Sequence, residues 1–292
     1  MEDRIGILAA VVLSVITVLS VFQTVLMRRI TFYIQLYGAY LANSVKSRLS
    51  YREDFWAGFF ANLMVQLIGV LFVAALFSRV PVIKGWGRYE VFFIYGFSQM
   101  SLGLFFVLFS NLFALSEKYV VEGNFDRLLL RPLGSFFQVV TERVHLEEAA
   151  TVILGLAMAG WAAGKMRLDL GPGQIALAAS LLVCASLVHL GIFTVMVSLT
   201  FWFRDRGSLV SVMLNLASFS KYPTPVFGPE IRLLLSWVVP FAFTAFYPAA
   251  RFLNRHQYDA LALLTPLAAL AAVAAGGLMW RLGVRAYEST GS

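Results

Sequence analysis

The chain is short of charge, of cysteine and of histidine, and each shortage removes a class of protein. Asp, Glu, Lys and Arg make up 13% of its 292 residues, against about 25% in soluble globular proteins, which excludes a water-soluble fold. The single cysteine, Cys184, lies inside the apolar stretch LLVCASLVHL, so no intrachain disulfide can form and packing is its expected role. Histidine occurs only at 145, 189 and 256, and the signatures HExxH, CxxC and GxSxG are missing, which leaves no metal-hydrolase or serine-hydrolase pattern. Gly164-Lys165 comes nearest to a phosphate loop, but Ala159 stands where that loop needs its first glycine and Met166 replaces its Ser or Thr. Any ATP must be hydrolysed by another chain. No acidic residue falls in the middle of a clear apolar run, which argues against an ion-driven carrier. No cluster of polar side chains facing one another across the runs is evident, and that argues against an intramembrane enzyme.

What the sequence has in abundance is apolar surface: 60% of residues, with a mean hydropathy of +0.78. A bilayer core of about 30 Å needs roughly 20 apolar residues per helical crossing. Runs of that kind lie at 55–78, 91–116, 149–164 with its flanks, 174–200, 207–220 and 260–280, and predict an all-α polytopic bundle of six core spans. A further run at 5–27 precedes them. It reads as an extra N-terminal span, as a signal peptide or as an upstream start that is not used. The expected division is 1–30 for that segment, 31–54 for an interfacial helix and 55–292 for the transmembrane domain. At 233–250 the run is apolar enough to span, yet it contains Pro240 and Pro248 and is flanked by Arg232 and Arg251. A re-entrant pair of short helices competes there with a straight span, because interior prolines delete helical hydrogen bonds.

The net charge of +7 fits anionic lipid and cytoplasmic loops rather than nucleic acid. The basic cluster Arg28, Arg29, Lys46, Arg48 and Arg52, placed inside, brings Lys118, Arg127, Arg131, Arg143, Arg204, Arg206, Arg281 and Arg285 to the same side and puts the C-terminus there too. Ahead of residue 55, Ile30, Ile34, Tyr37, Leu41, Val45 and Leu49 recur at helical spacing, as in a helix lying on the membrane surface. Between the second and third core runs, EGNFDRLLLRPL predicts a short amphipathic helix. Asn124 caps it, Asp126 sits in its first turn, Arg131 in its last, and Pro132 stops it. Phe125, Leu128 and Leu129 share a face at i, i+3 and i+4. The pattern suits either a docking helix for a partner or a solvated loop on lipid headgroups. His189, alone in an apolar helix, reads as a packing residue or as a site residue. The GxxxG at Gly160–Gly164 reads as a close helix contact or as chance in a Gly- and Ala-rich run.

The succession of an interfacial helix, SYREDF, GW at Gly85-Trp86, EGNFDRLLLRPL, YPTPVFGPEIR with WVVPFAFTAFYPA, and a closing RAYESTGS resembles the membrane subunit of ABC-2 type exporters from about residue 31 onward. The resemblance implies a multi-pass permease of the bacterial cytoplasmic membrane, paired with a second permease chain as homodimer or heterodimer. It implies a separate ABC ATPase subunit that holds ATP and Mg, with no cofactor in this chain. Glu122, Gly123, Asp126, Arg127, Leu128, Arg131 and Pro132 would form the ATPase-coupling element, and Pro240, Phe241 and Pro248 an external re-entrant gate. The alternative reading is a polytopic assembly or scaffolding protein without transport activity.

Overall fold

The computed structural model describes residues 27–28, 31–46, 52–203 and 208–288. The first apolar run, but for Met27, lies outside the described residues, as do Arg29, Arg48, Arg204 and Arg206. The chain divides into two compact units, 1–50 and 51–292. In the first, helix α1 covers 31–46 with Tyr37 and Leu41 partly buried, while Ile34 and Val45 of the expected apolar face are exposed.

The second unit is almost entirely helical. Helix α2 (Arg52–Arg79) carries Glu53 and Asp54 in its first turn and Arg79 in its last, complementing the helix dipole. A two-residue ladder comes next, β1 (Val82–Ile83) against β2 (Trp86–Gly87). Its turn residues Lys84 and Gly85 both have positive φ, 47° and 83°, as a tight hairpin with the strands' right-handed twist requires. Helix α3 (Arg88–Phe109) continues through a 3-10 turn and a π-helical turn to Val121. The loop helices α4 (Phe125–Leu129) and α5 (Ser135–Thr141) lead to α6 (Ala149–Met166), which ends on Arg167 in a left-handed conformation. Helix α7 (Pro172–Ser198) starts on a proline, where the missing N–H costs nothing, and is prolonged by α8 (Thr200–Phe203). After α9 (Ser208–Ala217) come short pieces, including α10 (Pro229–Leu233), α11 (Phe246–Ala250) and α12 (Asp259–Leu263), before the final α13 (Thr265–Ala286).

Five helices among the described residues are long and apolar enough to cross a membrane: Arg52–Arg79, Arg88–Val121, Leu146–Met166, Pro172–Phe203 and His256–Ala286. They coincide with five of the six expected core runs. The sixth, at 207–220, is a shorter apolar helix, Leu209–Lys221. Pro223 and Pro225 come directly after it and prevent its continuation as a regular helix.

Two helix pairs form the frame. Gly96 and Gly103 of α3 face Gly155 with Ala159, and Thr151 with Val152, of α6, so these helices run antiparallel. A Cβ on Gly96 would lie 2.7 Å from the Ala159 nitrogen, and one on Gly155 2.8 Å from the Met100 nitrogen. Gly191 of α7 packs on the backbone of Ala272, and Gly283 of α13 on the Phe201 ring, so α7 and α13 run parallel. Among the described residues nothing lies within 4 Å of a Cβ on Gly160 or Gly164, so of the two readings of that GxxxG the close helix contact gains no support here. The tight contact lies one turn earlier on α6, at Gly155. The starts of α2 and the ends of α7 and α13 thereby share one end of the bundle with the α3–α6 loop. The β hairpin lies at the other.

The frame makes a prediction. Gly155→Val must push its side chain into the α3 backbone, at a cost of about 1–3 kcal/mol, whereas a Cβ at Gly160 has no neighbour within 4 Å among the described residues. Thermal unfolding of the purified chain in detergent should show a lowered midpoint for the first and an unchanged one for the second.

Candidate functional site

The α3–α6 loop is built as an anchor with an exposed tip. At its start Gly123 has φ 76°, a left-handed conformation in which a Cβ is strained, and it is buried. Phe125 is fully buried, 4.9 Å from the Tyr287 ring and 5.1 Å from that of Phe201, centroid to centroid. Phe136 of α5 lies 5.1 Å from Trp280, whose indole N–H donates to Ser135 Oγ at 3.2 Å. Gln138 closes the loop from inside: its amide donates to the carbonyls of Leu128 at 3.0 Å and Leu133 at 2.8 Å. Asn111 binds the Val139 carbonyl. Neither Gln138 nor Asn111 stood out in the sequence, because a glutamine or asparagine that clamps backbone carbonyls has no spacing signature.

Several local expectations need correction. Asn124 occupies the N-cap of α4 but does not cap it; its amide points back to the Lys118 carbonyl at 2.8 Å and Glu122 Oε2 at 3.2 Å. Helix α4 ends at Leu129, so Arg131 lies beyond it, in a turn where the Leu133 N–H bonds the Arg131 carbonyl at 2.8 Å. Leu128 is buried, while Leu129 is 48% and Leu130 87% exposed. Leu129 lies at i+4 from Phe125 but on the outer edge of that face, where the bundle does not cover it. The tip therefore presents Arg127, Leu129, Leu130, Arg131 and Pro132, with Asp126 half buried and Glu122 exposed beside it. Lys118 Nζ pairs with Glu142 Oε1 at 2.8 Å, an exposed contact that contributes little.

The other proline-rich element lies between Pro229 and Ala250. α10 runs into a π-helical turn (Leu234–Val238), and regular structure stops at Val239–Pro240, where the Phe241 N–H bonds the Val239 carbonyl at 2.6 Å. Pro240 therefore stands where no helical donor is needed. Pro248 falls in the first turn of α11, where its missing N–H is equally harmless. Ser236 Oγ and Tyr247 Oη, 2.7 Å apart and buried, tie the two sides of the break. Phe241 reaches inward to His189 at 5.8 Å and Phe193 at 6.3 Å, in the body of α7. Phe246 instead packs on Trp86 at 5.5 Å, at the hairpin end. Arg255 locks that end: its guanidinium lies over the Trp86 ring at 4.5 Å, donates to both Glu90 oxygens at 2.9 and 3.0 Å, and reaches the Gly85 carbonyl at 2.7 Å.

Two polar features lie at membrane depth. His189 is fully buried among Phe105, Phe193 and Phe241, and among the described residues neither ring nitrogen has a hydrogen-bond partner. A ladder of polar side chains, which the sequence did not reveal, joins α2 to α3 and α6. Gln99 donates to Gln66 Oε1 at 2.8 Å, Gln66 reaches Thr151 Oγ1 at 3.5 Å, Thr151 reaches Asn62 Oδ1 at 3.4 Å, and Asn62 donates to Glu148 at 2.5 Å. Asn62 and Gln66, four apart, share a helix face, which was the one signal that could have found it.

The chain matches the family model described as ABC-2 family transporter protein over residues 63–291. No curated protein matches it.

The Arg255–Glu90 lock is a partly buried, two-bonded ion pair, of the kind in which charged hydrogen bonds contribute about 1.5–3 kcal/mol. A thermal-stability cycle over Glu90→Gln, Arg255→Gln and the double variant should show the double variant losing clearly less than the sum of the singles. Additive losses would mean that the two groups do not act together.

Proposed function

The chain belongs to the ABC-2 family of transporter proteins, and from that premise we propose that it is the membrane permease subunit of an ATP-driven exporter. A separate ATPase subunit binds and hydrolyses ATP-Mg, and the chain itself catalyses nothing. A second permease chain completes the transport path, in a bacterial cytoplasmic membrane. The scaffold reading gains no support from the family match.

The observation that carries coupling is the loop tip. Phe125 and Leu128 are sunk into the bundle while Leu129 and Leu130, with Arg127 and Arg131 beside them, face outward. An apolar pair flanked by cations, on a base held by Gln138, suits a small protein interface in which the apolar anchors carry more energy than the rim charges. Force on the tip reaches α13 and α8 through Phe125, Phe136, Trp280 and Phe201. The loop end is accordingly the cytoplasmic end, and the region around Pro240, Phe241 and Pro248 is an external re-entrant element closing the path. The depth of Phe241 between α7 and α3, against the position of Phe246 at the hairpin end, supports that reading over a straight span.

Two experiments test these assignments. When the tagged chain is purified from its native membranes, an ATPase with a Walker motif should co-purify. Leu130→Asp should reduce its recovery about tenfold, as loss of an interface anchor does, without changing the chain's own stability. Leu128→Asp should instead lower expression, because that side chain belongs to the core. Undiminished ATPase recovery with Leu130→Asp would overturn the coupling assignment. For sidedness, single cysteines at the exposed Glu230 and Gln257, in a Cys184→Ala background, should both react with an impermeant thiol reagent on intact cells, and one at Gly134 should not. Reaction of Glu230 and Gln257 from opposite sides would establish a complete span between them.

A further inference from the structure

A groove of about 280 Å³ opens between α7 and α13, lined by Leu190, Gly191, Thr194, Val273, Gly277 and Trp280, with Phe136 of α5 and Arg281 at its loop end. Its shape comes from missing side chains. Gly277 leaves the floor low, since a Cβ there would touch nothing within 4 Å, while Gly191 lets α13 approach α7 at Ala272 and sets the groove's closed side. Its walls are apolar apart from Thr194, whose hydroxyl is already committed to the Leu190 carbonyl at 2.6 Å. The neighbouring Leu270 and Leu278 are exposed, so the groove opens on the surface that faces lipid. Arg281 is exposed and has no hydrogen bond or ion pair among the described residues. From Val273 to Arg281 the helix rises about 12 Å, so an apolar trough of that length ends at an exposed cation near the last turns of the span.

From this geometry we infer that the α7–α13 groove is a binding site for one anionic phospholipid, its phosphate on Arg281 and the upper part of an acyl chain between Gly191 and Gly277. Charge complementarity selects the occupant. An apolar trough alone takes any chain, but a guanidinium near the last turns of the span matches a phosphodiester, which arginine binds through paired N–H donors, and the Trp280 ring forms the apolar wall beside it. The lipid comes from the leaflet at the loop end; calling that leaflet cytoplasmic rests on the proposed function, while the site itself does not. Because Phe136 and Trp280 both line the groove and both hold the α3–α6 loop, an occupied groove stiffens the base on which the tip stands.

The purified full chain, delipidated in detergent, can be titrated by native mass spectrometry with phosphatidylglycerol and with phosphatidylcholine of the same acyl chains. Phosphatidylglycerol should bind preferentially. Arg281→Gln should weaken it about fivefold, the effect of one cation at a membrane surface, and bring it level with phosphatidylcholine. Gly277→Leu, whose Cβ meets no neighbour within 4 Å and whose side chain fills the trough, should weaken both, and Arg285→Gln, outside the groove, should change neither. Equal binding of the two lipids by the unaltered chain, or an undiminished preference in Arg281→Gln, would overturn the assignment. Competition by soluble glycerol phosphate would also overturn it, by showing an anion site that needs no chain. None of these readouts depends on transport or on an ATPase.

Discussion

The fold depends on backbone-to-backbone contact at a few glycines. In lipid an apolar face gains nothing by leaving its surroundings, which are as apolar as itself, and helices associate through close van der Waals packing and interhelical hydrogen bonds instead. Gly96, Gly103 and Gly155 let α3 and α6 approach until main chains touch; Gly191 and Gly276 do the same for α7 and α13, and Gly283 makes room for the Phe201 ring of α8. The same absence of side chains that joins α7 to α13 leaves the trough beside them open, since Gly277 lies next to the contact but faces away from it. Packing and binding surface are thus two sides of one small-residue stripe.

The aromatic residues turn that rigid frame into a base for the loop. Phe125, Phe136, Phe201, Trp280 and Tyr287 come from the loop, the end of α7 with α8, and the end of α13, and their edge-to-face contacts fix the loop to two spans at once. Rings in such arrangements contribute about 0.5–1.5 kcal/mol beyond their buried area. A loop held only by its two ends would absorb a push at its tip. This one is held along its length as well, because its buried half is continuous with the helix ends.

Much of this was legible in the sequence, for a physical reason. A run such as 55–78 or 260–280 has one solution in a bilayer, since every backbone polar group must be satisfied within the segment, and the long helices appear where the runs are. At 233–250 the prolines leave a broken and a straight helix both open, and the structure interrupts the helix at Val239–Pro240. What could not be read were features that depend on which neighbour a side chain meets. Leu128 and Leu129 are indistinguishable by periodicity, yet one is core and the other surface. Gly155 and Gly160 sit in the same glycine-rich helix, and only the presence of α3 separates a tight contact from an open face. Gln138 and Arg255 act on groups far away in sequence, at Leu128 and at Glu90, where no local pattern announces them.

Helix α2 has no glycine seam of that density, and its attachment is weaker for it. Only Val73 and Phe77 are buried along its length, and Trp56, Phe60, Met64, Ile68 and Leu71 remain exposed. The ladder through Asn62, Gln66, Gln99, Thr151 and Glu148 compensates for part of that deficit: interhelical hydrogen bonds in membranes average about 0.6 kcal/mol each, so the few present amount to a modest attachment. Such bonds are directional and can be exchanged, whereas interlocked backbones cannot slide without opening a void. The polar seam at α2 is therefore a weaker attachment than the glycine seams at α3–α6 and α7–α13.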